Sequence, residues 1–184
     1  MEELRIQIQS IPNPNALKFV LNRQVKTEGK MTYKSPEECH TNPLARVLFS
    51  IPNVVEVYFY DNYITVTQDG NGDWDAIEEQ AKAKIVENIA AHDPNFKIPE
   101  VKKIVAPSTP ELSQIETILD QTIRPALQMD GGDLEIIGLN DNVLLVNYQG
   151  ACGSCPSSAM GTLKAIENIL REEFNPNIVV QLAA

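Results

Sequence analysis

Two of the chain's three cysteines stand three positions apart in Gly150-Ala151-Cys152-Gly153-Ser154-Cys155-Pro156-Ser157-Ser158, and the flanking residues dictate the backbone that must join there. Upstream, residues 143–149 are rich in β-branched and apolar side chains and read as a strand. Downstream, Pro156 suits the first position of a helix, and Met160, Leu163, Ile166, Ile169 and Leu170 recur at helical spacing. Both sulfurs therefore stand where a strand hands over to a helix N-terminus. Unpaired backbone N–H groups and the positive end of the helix dipole favour thiolate there, the form that binds metal or attacks a disulfide.

Three chemistries use a Cys-x-x-Cys at such a junction: thiol-disulfide exchange, a zinc site and iron-sulfur ligation. A structural zinc site takes four protein ligands and an iron-sulfur cluster usually takes four cysteines, so the pair in one chain is two short of either. Two copies meeting at this loop would supply four thiolates, and Gly153 leaves room for inorganic sulfide close to the backbone.

The run Arg124-Pro125-Ala126-Leu127-Gln128-Met129-Asp130-Gly131-Gly132-Asp133, followed by the cysteine segment, resembles the NifU C-terminal (Nfu) domain over about residues 111–184. The resemblance implies a carrier that is not an enzyme. It implies a 4Fe-4S cluster held between two subunits by Cys152 and Cys155 of each, with a 2Fe-2S form as the alternative cargo. Iron-sulfur scaffold donors and apo iron-sulfur client proteins would be the partners, and the chain a homodimer when cluster-bound. One departure is Ala159-Met160-Gly161, which places a glycine inside the helix at a cost of about 1 kcal/mol relative to alanine.

Across 184 residues, 43% hydrophobic and 22% charged side chains are ordinary for a soluble globular protein, and no apolar run approaches membrane-spanning length. A formal charge of −10 disfavours nucleic acid and anionic lipid, whose binding depends on clustered lysine and arginine. Neither a nucleic-acid nor a membrane partner is expected. Three cysteines with one close pair argue against a secreted disulfide framework, and Met1-Glu2-Glu3-Leu4-Arg5 lacks the features of a signal or transit segment. A cytoplasmic location is the expectation.

The expected fold is α/β of the α+β type: two small domains, each a short sheet packed with helices, joined by a proline-containing linker. In the first domain, alternation over residues 4–9, a break at Pro12-Asn13-Pro14-Asn15 and residues 16–21 give strand, turn, strand. Residues 22–41 are polar and carry no expected element. Asn42-Pro43 opens a short helix that ends before Pro52, residues 54–60 and 63–67 form a hairpin about Asp61-Asn62, and Asp73 caps a helix with Trp74, Ile77, Ala81, Ile85 and Ile89 inward. This half resembles the Nfu N-terminal domain through Ile11-Pro12-Asn13-Pro14-Asn15-Ala16-Leu17-Lys18-Phe19, Pro43-Leu44-Ala45-Arg46-Val47-Leu48-Phe49 and Ile64-Thr65-Val66-Thr67. It holds no motif of evident chemistry and reads as a docking module.

The domain boundaries read as 1–91, a linker over 92–110 marked by Pro94, Pro99, Pro107 and Pro110, and 111–184. Net charge divides as −3 for residues 1–110 and −7 for 111–184, so the acidic half carries the cysteine pair. In that half, Leu112, Ile115, Ile118, Leu119, Ile123 and Leu127 give a helical face that Pro125 bends, residues 134–139 and 143–149 form a hairpin, and 178–182 add a strand. Asp130 and Asp133 beside glycines read as turn residues rather than metal ligands. Cys39 reads as a stray thiol in the polar connection, with His40 beside it, and His92 as a linker residue. A thioredoxin-like oxidoreductase and a zinc-bridged structural dimer are the competing functions. The helix and hairpin ahead of Cys152 are not a thioredoxin's βαβ lead-in.

Overall fold

The computed structural model describes residues 3–96, 109–153 and 158–183. It divides into two compact units, Met1–Pro99 and Glu100–Ala184, each with its own sheet and its own apolar core.

In the first unit, β1 (Ile6–Ser10), β2 (Ala16–Leu21), β3 (Lys30–Tyr33), α1 (Pro43–Phe49), β4 (Val54–Tyr60), β5 (Tyr63–Gln68) and α2 (Trp74–Asn88) follow in order. The strands pair antiparallel in the order β1-β2-β5-β4-β3. Phe19, Leu21, Val57, Phe59, Ile64 and Val66 from the sheet are buried with Leu44 and Leu48 of α1 and Ile77, Ala81 and Ile85 of α2. Each such large side chain contributes roughly 1.5–3 kcal/mol by leaving water. The helix starts follow from side-chain caps: Asn42 accepts from the N–H of Ala45 at 3.1 Å, and Asp73 from that of Asp75 at 3.1 Å. Trp74 Nε1 donates to Pro14 O at 2.9 Å, fastening α2 to the turn after β1. The β4–β5 connection works because Asp61 adopts φ 40°, a conformation Asp tolerates at such turns.

Two expectations for this unit are corrected. Residues 22–41 contain β3 and a 3-10 turn at Pro36–Glu38. β3 is a four-residue edge strand, too short to show a period, and it forms because Met31 and Tyr33 pair against β4. The linker does not begin at residue 92. His92 stacks on Phe59 at 5.7 Å, Phe96 meets Phe59 edge-on at 5.9 Å and is buried, and the N–H of Thr27 donates to Pro94 O at 3.0 Å. Aromatic packing thus holds 92–96 in the first core, where the proline count alone suggested a spacer. The rest of the expected linker, 97–108, lies outside the described residues.

The second unit comprises α3 (Pro110–Thr122), α4 (Arg124–Met129), β6 (Gly132–Asn140), β7 (Val143–Gly150), α5 (Ser158–Glu173) and β8 (Val179–Leu182). β6 and β7 form an antiparallel hairpin, and β8 joins β7 in parallel, a pairing that α5 permits by crossing back along the sheet. Thr109 caps α3 by accepting from the N–H of Leu112. The six apolar residues expected on one helical face are all buried, together with Leu134, Leu144, Val146, Ile166, Leu170 and Ile178. Pro125 does more than bend the helix: α3 ends at Thr122, and α4 restarts with Pro125 in its first turn.

Candidate functional site

Strand β7 ends at Gly150, and Ala151, Cys152 and Gly153 turn away from it toward α5, which delivers Cys152 to the expected strand–helix junction. Residues 154–157, Cys155 among them, lie outside the described residues. Cys152 is buried, at 3% exposure, and belongs to the second core rather than to an exposed loop. Its thiol lies 3.9 Å from the carbonyl oxygen of Leu127, the last apolar residue of the α3–α4 face.

The turn is fastened to the start of β6. Gly132 pairs with Gly150 in the ladder, the N–H of Ala151 donates to Gly131 O at 3.3 Å, and that of Gly153 to Gly150 O at 2.9 Å. Gly131 (φ 75°) and Gly150 (φ 61°) adopt left-handed backbone, which glycine enters without steric cost. Gly132 does not, and its requirement is space. A Cβ there would come within 2.6 Å of Cys152 Sγ, 2.5 Å of Gln149 O and 2.8 Å of Cys152 N.

Asp133 is a core ion-pair partner rather than a turn residue. It is 2% exposed and accepts from Arg124 Nη1 at 3.0 Å. Arg124 also pairs with Glu116 and Asp120 of α3 and donates to Leu134 O at 2.8 Å, so one guanidinium joins α3, α4 and β6 beside the cysteine turn. Burial pulls the Arg124 pKa down, but Asp133 and Glu116 outweigh it and the net shift is upward. Sequence reasoning gave Arg124 no role. The signal was an arginine in an otherwise acidic segment, with carboxylates four and eight residues before it and nine after. Tyr148, opposite Leu134, is also buried; burial pushes its phenol up to about 12, Thr162 pulling the other way and Cys152 adding to the rise.

The remaining candidates lie elsewhere. Asp130 caps the C-terminus of α4. Cys39 is 1% exposed in the first core, its thiol 3.5 Å from Ser35 O and pushed up to about 11, first by burial and then by Glu38. It is a packing group of that core. Among the described residues no three His, Cys, Asp or Glu side chains converge as metal ligands, and no helix is long and apolar enough to cross a membrane.

Comparison with known proteins agrees with this division. The family model described as scaffold protein Nfu/NifU N terminal matches residues 6–92, and that of the NifU-like domain matches 115–181. The human "NFU1 iron-sulfur cluster scaffold homolog, mitochondrial" is 34% identical over 169 residues, covering 90% of this chain and 66% of that protein. The "NifU-like protein 4, mitochondrial" of Arabidopsis thaliana is 31% identical, covering 90% of this chain and 61% of that protein. The chain thus spans less than two thirds of the length of these relatives. A solution structure of a NifU-like protein from Saccharomyces cerevisiae overlaps 53% of this chain and 86% of that one at 23% identity, with a TM-score of 0.46.

These relatives correct the expected cytoplasmic location, since they are named as mitochondrial. The cysteine count argued only for a reducing compartment and did not distinguish among such compartments. With one family model on each structural unit, the chain belongs to the Nfu/NifU family, an Nfu N-terminal domain followed by a NifU-like domain.

Proposed function

We propose that the chain is a non-enzymatic iron-sulfur cluster carrier, in which Cys152 and Cys155 of two copies hold a 4Fe-4S cluster and release it to apo-proteins. The observation that carries this reading is Cys152 at the strand–helix junction of a NifU-like domain, with Cys155 three positions on. The names of the relatives, iron-sulfur cluster scaffold homologues, support the cargo. Gly153 supports it as well: a Cβ there would meet Gly150 O and Tyr148 O at an ordinary 3.4 Å, so the chain's own packing does not demand glycine.

Delivery is ligand exchange. An incoming client thiolate forms a bond to iron as a carrier thiolate leaves, and the proton lost by the client cysteine ends on the released one; no electrons move. A cluster shared between two copies is labile by construction, because separating them removes half its protein ligands at once. Since Cys152 is buried in the chain alone, loading must also turn its sulfur outward.

Iron, acid-labile sulfide and zinc assayed on anaerobically purified protein test the proposal. Equal iron and sulfide without zinc is expected. Zinc in place of both would support a zinc-bridged dimer, and neither metal with a rapidly cycling disulfide would support an oxidoreductase.

A further inference from the structure

We propose that Gly132 is a positioning residue for Cys152: its missing Cβ forms the notch in which the Cys152 sulfur rests. The inference deepens the carrier reading, because the sulfur so placed is the proposed cluster ligand.

Three observations converge on it. Gly132 lacks the left-handed backbone that accounts for Gly131 and Gly150, so conformation does not explain the residue. A methyl there would stand 2.6 Å from Cys152 Sγ, closer than real Cβ contacts come, 2.5 Å from Gln149 O and 2.8 Å from Cys152 N, and of these the sulfur, the end of a side chain, is the atom that gives way most cheaply. The notch is also held on its far sides. Gly132 directly precedes Asp133, which Arg124 pins to α3 and α4, and Leu127 O, at the end of that same helical face, lies 3.9 Å from the sulfur. The floor and one wall of the cysteine's resting place are therefore one ion-paired segment. A side chain at 132 would push the sulfur out and the turn away from β6, changing where and how readily the thiol is offered.

Thiol trapping on the cluster-free chain tests this without iron. In a Cys39→Ala, Cys155→Ser background Cys152 is the single thiol, and its reaction with a maleimide should run at least about tenfold slower in the folded chain than in urea, since attack needs a local opening. Adding Gly132→Ala should raise the folded-state rate by about tenfold or more, whereas Gly161→Ala, with nothing within 4 Å of the new methyl and a better helix former in place, should not raise it. A folded Gly132→Ala chain that traps at the unsubstituted rate overturns the proposal, as does fast trapping in the chain with Gly132 intact. Should Gly132→Ala fail to fold, Cys152→Ala is added: recovered folding shows that the sulfur was the obstruction. Continued failure shows that the strand backbone alone excludes a side chain, which also overturns it. Because no cluster is involved, a negative result here leaves the iron and sulfide assay to decide the carrier reading separately.

Discussion

The Asp133 oxygen that accepts Arg124 Nη1 at 3.0 Å also accepts the backbone N–H of Leu134 at 2.7 Å. One carboxylate oxygen thus ties the guanidinium to the strand that carries Gly132. Asp133→Asn removes the charge but keeps the shape, leaving Arg124, itself 13% exposed, with the more exposed Glu116 and Asp120. Breaking a buried pair from one side costs roughly 3–5 kcal/mol, and these two remaining partners place the expected loss near the lower end. Urea unfolding of the second unit would measure it. An unchanged midpoint would mean that the pair contributes no net stability.

Much of the fold was legible because apolar spacing and turn chemistry agreed. The α3 face from Leu112 to Leu119, the Asn42 cap and the Asp61-Asn62 hairpin each carried two independent signals. What escaped had its cause far away in sequence. Phe96 is buried against Phe59 and Tyr33, tens of residues distant, and β3 is a strand because β4 lies beside it. The place of Cys152 directly after strand β7 could be read from its local setting. The notch at Gly132 could not, because the clash that requires a glycine there comes from residues 149 and 152 across a ladder whose register the sequence does not print.

The cysteines divide by environment. Cys152→Ser or Cys155→Ser should abolish cluster binding, seen as loss of visible absorbance after anaerobic reconstitution. Cys39→Ala should keep the absorbance and instead cost about 1 kcal/mol of first-unit stability, because it removes a buried sulfur from a packed core. Full absorbance retained in Cys152→Ser would contradict the ligand assignment.

Glu56 gives the first unit a pH dependence. Burial pushes its carboxyl up to about 7 from the ordinary 4.5, Lys34 opposing and Glu38 adding to the rise, and Oε1 is buried without a hydrogen-bond partner. A carboxyl whose folded pKa lies above its unfolded value contributes stability that is fully present below about 4.5 and lost as pH rises to about 7. The loss can reach about 3 kcal/mol. His92 acts the other way: burial lowers its pKa, so what it contributes is present above 6.5 and lost as pH falls below. Glu56→Gln should therefore stabilise the chain at pH 7.5 and hardly at pH 4. Urea midpoints that fall in parallel for both chains over that window would remove Glu56 as the cause.

Stoichiometry follows from counting ligands: two thiolates per chain and four corners on a cubane require two chains for each cluster. The loaded protein should scatter light as a dimer, with about two iron and two sulfide per chain in the same fractions. Chelation should shift it toward monomer, because a ligand that binds only the associated form stabilises that form by mass action. The buried resting place of Cys152 adds a kinetic expectation. If the sulfur must leave its notch before a second chain can share the cluster, reconstitution should be slow in the unaltered protein and faster when Gly132→Ala displaces the thiol, even where the final cluster is less stable. A monomer carrying four iron atoms would defeat the bridging arrangement, since the two further ligands would then have to come from elsewhere in the chain or from a small thiol. A dimer that persists after chelation would keep the cysteines as ligands and move the association energy to apolar surface on the NifU-like domain.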